Sequence, residues 1–85
     1  MKVLYAGRLV NGNEFDSNQN RDSPFSFQLG AGRVIRGWDE GVATMKKGEV
    51  STFVISHQYA YGPRGFQGAI PPYSTLVFDV ELIDF

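Results

Sequence analysis

Between Thr75 and Phe85 the chain alternates with little interruption. Leu76, Phe78, Val80 and Leu82 fall on one side, and Val77, Asp79, Glu81 and Ile83 on the other. A side-chain period of two belongs to a strand, because successive Cβ atoms point to opposite faces of a pleated backbone. This is the longest strand signal in the chain, and a strand needs partners for its backbone N–H and C=O groups. The fold must therefore contain a sheet, and the remaining segments must supply its other strands and the cover for its apolar face.

Partners can be read upstream. Lys2 to Leu9 alternates weakly and runs into Asn11-Gly12, a pair that takes the positive φ angles of a tight hairpin turn. Glu14 to Ser17 then starts a return strand. Asn18 to Ser23 is polar and reads as a loop, closed by Pro24. Phe25, Phe27 and Leu29 share a face and predict a strand over 25–29. Glu49 to Ser56, rich in Val, Thr, Phe and Ile, predicts another.

One segment breaks the pattern. Trp38, Val42 and Met45 fall at near-helical spacing, predicting a short helix over Arg36–Thr44. Gly37 and Gly41 inside it cost helix stability, about 1 kcal/mol each against alanine. They make sense where the helix backbone lies close on the sheet. Lys46-Lys47-Gly48 suits the helix end, with cations at the negative pole and glycine as the left-handed cap. His57 to Ser74 is a long loop carrying Gly62, Pro63, Gly65, Gly68, Pro71 and Pro72, and such a loop in a small domain is often functional. The sum is an α+β domain spanning residues 1–85, an antiparallel sheet with one helix across a face.

Composition removes several functions. Eight Lys and Arg against nine Asp and Glu leave a formal charge of −1, with no footprint for nucleic acid or an anionic membrane. No cysteine is present, so disulfides, a Cys nucleophile and a thiolate zinc site are ruled out. With one histidine and scattered carboxylates, no metal or triad chemistry is expected. Gly30-Ala31-Gly32 resembles the start of a dinucleotide fingerprint, but Ile35 stands where its third glycine belongs. Gly62 to Gly68 lacks the Gly-Lys-Ser/Thr of a phosphate loop. No run is long enough to span a bilayer, and no secretory leader is seen, which makes the cytoplasm the expected setting.

What remains is aromatic: seven Phe, four Tyr and one Trp. Tyr5, Phe15, Phe25, Phe27, Trp38, Tyr61, Phe66 and Phe78 come from nearly every element. They can fill a core, as rings usually do, or line a pocket. Two points favour a pocket. The indole N–H of Trp38 needs a partner if fully buried. Tyr59, Tyr61 and Tyr73 lie in or at the end of the long loop, where function concentrates. Asp16 is either a solvated hairpin charge or a carboxylate at the pocket rim, paired with Tyr61 or Arg21.

Six runs stand in order along the chain: Phe15-Asp16-Ser17, Pro24-Phe25, Val34-Ile35-Arg36-Gly37-Trp38-Asp39-Glu40-Gly41-Val42, Tyr59-Ala60-Tyr61-Gly62, Ile70-Pro71-Pro72 and Thr75-Leu76-Val77-Phe78-Asp79-Val80-Glu81-Leu82. Together they resemble the FKBP-type peptidyl-prolyl cis-trans isomerases. The resemblance runs through the chain in order. It implies a half-open antiparallel sheet wrapped around one short helix, with a pocket between them. It places Trp38 at the pocket floor and Tyr5, Phe15, Phe25, Val34, Ile35 and Phe78 in the walls. Asp16 becomes the rim carboxylate, Tyr61 a hydroxyl donor to a ligand carbonyl, and the Ile35 N–H a second donor. Arg21, Phe66 and Ile70 join as further substrate contacts. The implied partners are proline-containing peptides and macrolides such as rapamycin and tacrolimus, and the implied reaction needs no cofactor and no metal. Arg33, Phe66 and Ala69 depart from the family pattern at the rim, and the usual strand before Tyr5 that covers a sheet edge is absent. A proline-binding or docking module with little turnover is the alternative reading, since function resides in the site rather than the fold.

Overall fold

A computed structural model describes residues 1–66 and 68–85. Its elements in chain order are β1 (Lys2–Leu9), β2 (Glu14–Asn18), β3 (Phe25–Ser26), α1 (Arg36–Val42), β4 (Val50–Ile55) and β5 (Leu76–Asp84), with a 3₁₀ turn at His57–Tyr59 before the long loop. The sheet order is β2-β1-β5-β4, antiparallel at every pairing. β5 is thus internal, flanked by β1 along Lys2–Leu9 and by β4 along Val50–Ile55. β2 and the short β3 share the other side of β1, opposite Tyr5–Arg8 and Lys2–Val3 respectively. This is the α+β architecture expected, a half-open sheet around one short helix.

The hairpin forms where Asn11-Gly12 places it. Gly12 sits at φ +94°, its N–H donates to the Leu9 carbonyl (2.9 Å), and the Asn13 N–H donates to the Asn11 side-chain oxygen (3.0 Å). Three expectations need correction. The strand read over 25–29 is regular only at Phe25–Ser26. Pairing continues through Met1 and Phe27, whose backbones exchange N–H···O bonds of 2.9 and 3.0 Å, and the chain then turns at Leu29 and Gly30, the latter at φ +77°. The helix stops at Val42, not Thr44, because the Gly41 carbonyl takes both the Thr44 N–H (3.1 Å) and the Thr44 hydroxyl (2.7 Å). Competition from such a hydroxyl is a known helix terminator. Lys46-Lys47-Gly48 consequently lies beyond the helix. Gly48, at φ +86°, makes the turn into β4 and donates to the Leu82 carbonyl (2.8 Å), while Lys47 meets Asp84 at 3.5 Å.

The core lies between the inner sheet face and α1. Val3, Val42, Leu76, Val80 and Leu82 are fully buried, and Trp38, Met45, Ile55, Ile70 and Phe78 nearly so. Burying each aliphatic side chain of this size stabilises by about 1.5–3 kcal/mol. The helix glycines do what their cost implied. A Cβ on Gly37 would stand 2.6 Å from Ile55 Cγ2, and one on Gly41 would stand 3.1 Å from Phe53 Cε1. The long loop is held by its own bonds. Phe66 and Ile70 exchange N–H···O bonds of 2.8 Å, and the Tyr73 N–H reaches the Gly62 carbonyl (3.1 Å). No helix among the described residues is long and apolar enough to cross a membrane.

The close helix–strand approach makes a signed prediction. In a free helix Gly37→Ala gains about 1 kcal/mol; here it is expected to lose about 1–3 kcal/mol through overpacking on Ile55. In an Ile55→Ala background the added loss should shrink, because the clashing atoms are gone. Urea unfolding of the four proteins measures it, and a Gly37→Ala chain more stable than the parent would refute the close-packing account.

Candidate functional site

The site is assembled around Trp38. The residue sits in the first turn of α1, on the side turned to the sheet, and is 4% exposed. Rings from three strands meet it edge-on: Tyr5 of β1 at 5.0 Å, Phe78 of β5 at 5.3 Å and Phe25 of β3 at 6.0 Å between centroids. Phe27 tilts against it at 5.8 Å. Edge-to-face contacts at these distances are the favoured geometry of aromatic pairs. Phe15 of β2 completes a wall by standing edge-on to Phe78 at 5.5 Å. Gly7 makes room for both, since a Cβ there would be 2.5 Å from Phe78 Cε1 and 2.9 Å from Phe15 Cζ.

These rings do not close over one another. They leave a cavity of about 170 Å³ lined by Tyr5, Phe15, Asp16, Phe25, Arg33, Val34, Ile35, Trp38, Tyr61 and Phe78. Nine of the expected site residues, together with Arg33, therefore converge on one space. Val34 and Ile35 enter it from the segment leading into α1, and Tyr61 enters from the long loop.

Its polar groups are few and specific. The Tyr5 hydroxyl donates to Asp16 Oδ2 at 2.9 Å. Burial pushes the Tyr5 phenol up to about 12, and the bond to Asp16 and the nearby charge add to the effect. Tyr61 is raised as well, first by burial and then by the charge of Asp16. Asp16 is thus a rim carboxylate, but its partner is Tyr5 rather than Tyr61 or Arg21. The sequence reading missed that pair because the β1–β2 register, with Tyr5 opposite Asn18 and Gly7 opposite Asp16, is set by a bulge at Gly7/Arg8. The Ile35 N–H meets no backbone acceptor among the described residues. The buried Trp38 Nε1 also has no hydrogen-bond partner among them, so the need that favoured a pocket over a packed core is left unmet among these residues. It is enclosed by rings, whose faces offer only a weak acceptor.

Three expected substrate contacts lie elsewhere. Arg21 turns to the outer face, where its guanidinium forks onto Glu81 with bonds of 3.1 and 2.8 Å. A planar fork matched to a carboxylate is a strong local attraction, and it draws the side chain from the pocket. Ile70 is 5% exposed and belongs to the core cluster. Phe66 is 57% exposed and lines a separate depression with Arg64, Ala69, Pro71 and Pro72; it stands edge-on to Tyr61 at 5.7 Å. Arg33, read as a rim departure, does line the cavity.

Chemically, the space is apolar, ringed and shallowly polar at its mouth. Among its lining residues no hydroxyl, thiol or imidazole is poised as a nucleophile, and no group of three metal-ligating side chains occurs among the described residues. Such a site can hold a small apolar ring and orient adjoining carbonyls; it is not built for covalent attack.

Comparison with known proteins agrees with this geometry. The family model described as FKBP-type peptidyl-prolyl cis-trans isomerase matches residues 1–83. The chain is 60% identical over 83 residues to FK506-binding protein 1 of Dictyostelium discoideum, covering 98% of this chain and 78% of that one. It is 57% identical over 79 residues to a peptidyl-prolyl cis-trans isomerase of Schizosaccharomyces pombe, covering 93% and 70%. The crystal structure of AtFKBP13 superposes with a TM-score of 0.91 at 41% identity, over 99% of this chain and 76% of that one. The aromatic cavity between sheet and helix is therefore carried by a chain that belongs to the FKBP-type peptidyl-prolyl cis-trans isomerase family.

Proposed function

We propose that residues 1–85 act as one isomerase domain, and that the cavity over Trp38 holds the proline ring of an X-Pro segment while the preceding bond rotates. The observation that carries this reading is the convergence of Tyr5, Phe15, Phe25, Trp38 and Phe78 on an open, ring-walled space. Trp38 is the floor. Phe15, Phe25, Phe78, Val34 and Ile35 are walls. The Tyr61 hydroxyl and the Ile35 N–H are donors for the carbonyls flanking the ring. Asp16 holds the Tyr5 hydroxyl in place.

The mechanism follows from the bond itself. Amide resonance sets a barrier of about 18–20 kcal/mol, and uncatalysed X–Pro exchange takes roughly 10–100 s. The twisted transition state has lost that resonance, so its carbonyl carries less charge than the planar amide does. A dry aromatic surround disfavours the planar ground state more than the twisted one, which is the condition for acceleration. Donors at the mouth hold the chain bent during rotation. No covalent step, metal or cofactor enters.

The partners in this reading are proline-containing peptides and proteins met in the cytoplasm. Macrolides such as rapamycin and tacrolimus are proposed as competing ligands, supported by relatives named for FK506 binding. Titrating the chain with rapamycin is expected to change Trp38 fluorescence saturably at equimolar ligand. The chain is also expected to accelerate exchange in an Ala-Pro peptide, read by NMR. A folded chain that binds without accelerating exchange is a binding module; one that does neither overturns the assignment of the cavity.

Phe15→Ala is expected to remove about 2 kcal/mol of transition-state binding, roughly thirtyfold in kcat/KM, as for a central aromatic contact. Asp16→Val should also lower the rate. Full activity in either folded variant would sink the assignment of these residues.

The Tyr5 phenol gives a pH test with a definite sign. Its pKa is raised in the fold, so its contribution to stability is whole below the ordinary value of 10.0 and is lost as pH rises through about 12. The urea midpoint of the parent should fall more steeply over that window than that of Tyr5→Phe. Asp16→Asn should bring the Tyr5 titration, followed by phenolate absorbance, back towards its ordinary value. Identical pH slopes in parent and Tyr5→Phe would contradict the buried, bonded phenol.

A further inference from the structure

The cavity over Trp38 does not end at its walls. A shallow groove of about 310 Å³, lined by Phe25, Ser26, Phe27, Gln28 and Arg33, adjoins it, and Phe25 and Arg33 belong to both spaces. A peptide seated in the cavity and extended along this side must pass Arg33 on its way to Ser26 and Gln28. Among the described residues, Arg33 is the only charged side chain lining the groove.

Its charge is also uncommitted. Arg8, Arg21 and Arg36 are paired with Asp79, Glu81 and Glu40, whereas Arg33 meets no carboxylate within salt-bridge distance among the described residues. Asp39, the acidic side chain of the first turn of α1, is engaged by the Gly30 N–H at 3.1 Å, a bond that ties the turn carrying Arg33 to the helix. Gly30 and Gly32, at φ +77° and +69°, shape that turn. The cavity's carboxylate, Asp16, is held by Tyr5. The mouth is therefore polarised, with a positive exit at Arg33 and a carboxylate at Asp16.

We propose that Arg33 sets substrate preference, selecting X-Pro segments that carry an acidic side chain within two residues of the proline on the side that leaves over Ser26 and Gln28. This rests on the isomerase reading of the same cavity and adds a substrate class to it. Arg33 acts on binding and orientation, not on the rotating bond.

The test uses proline peptides bearing Glu, Ala or Lys two residues before the proline, or two residues after it, with kcat/KM read by NMR exchange. At one of the two placements the Glu peptide is expected to exceed the Lys peptide about fivefold at low salt, the scale of an exposed ion pair gained against a like-charge contact. The ratio should approach one at about 1 M salt, where the Debye length is about 3 Å. Arg33→Glu should invert it and Arg33→Lys should keep its sign. A parent chain that turns over the Ala peptide but ignores charge at both placements overturns the Arg33 proposal alone. A ratio unchanged in Arg33→Glu, or in Arg33→Ala should the charge reversal fail to fold, does the same. No turnover of the Ala peptide removes the isomerase reading, and this inference with it.

Discussion

Everything in this molecule hangs on the contact between one indole and the sheet. Trp38 lies within about 6 Å of Tyr5, Phe25, Phe27 and Phe78, ring centre to ring centre, so a single side chain of α1 is gripped from β1, β3, the segment after it and β5. A seven-residue helix has little stability of its own. It exists because its buried face, Trp38 and Val42, docks on the inner surface of the sheet. The same docking fixes the cavity floor. Core and site are therefore not separate layers here: the rings that hold the helix down on one side line the cavity on the other.

That economy requires close approach, and glycine supplies it at defined places. Gly37 and Gly41 let the helix axis settle against Ile55 and Phe53, which sets the depth of Trp38. Gly7 leaves the centre of β1 free for Phe15 and Phe78 to meet edge-on. In each case a methyl group would push apart two elements whose separation defines the cavity. The helix thus carries residues that weaken it locally because the gain is made in tertiary packing, where dispersion falls off steeply with distance.

Much of this was legible in the sequence, and the physical reason is periodicity. Leu76 to Leu82 alternates because β5 is internal and has one face on the core, and that pattern survives in the structure residue by residue. Trp38 and Val42 repeat at helical spacing because they share the buried side of α1, and Met45, beyond the helix end, is buried with them. The helix end was harder, because the Thr44 hydroxyl competes for the Gly41 carbonyl, a local choice that apolar spacing does not encode. Within the site, the rings were legible because aromatic residues drawn from many elements have one place to meet. Its polar pairings were not. Whether Asp16 faces Tyr5, Tyr61 or Arg21 depends on a bulge in β2, where Phe15 is passed over opposite Gly7 and Arg8, and on Glu81 waiting across the sheet for Arg21. A charge pair such as Arg21–Glu81, sixty positions apart along the chain, leaves no local trace. Ile70 likewise looks like a loop residue until the bridge to Phe66 turns it inward.

The polar edge of the cavity follows from the same geometry. A ring-lined hole in a small domain would ordinarily be filled by the rings themselves, since packed interiors tolerate few voids. Here Tyr5 and Phe78 stand edge-on to Trp38 from strands paired on both sides, and Phe15 stands edge-on to Phe78 from β2, so the backbones that carry these rings are fixed around the open space. Tyr5 is the clearest case. Its ring leans on Trp38 and Phe25, while its hydroxyl is anchored to Asp16, and burial with that bond raises its phenol pKa. The cavity that results is walled mainly by rings, with the carboxylate of Asp16, the guanidinium of Arg33 and the hydroxyls of Tyr5 and Tyr61 as its polar lining.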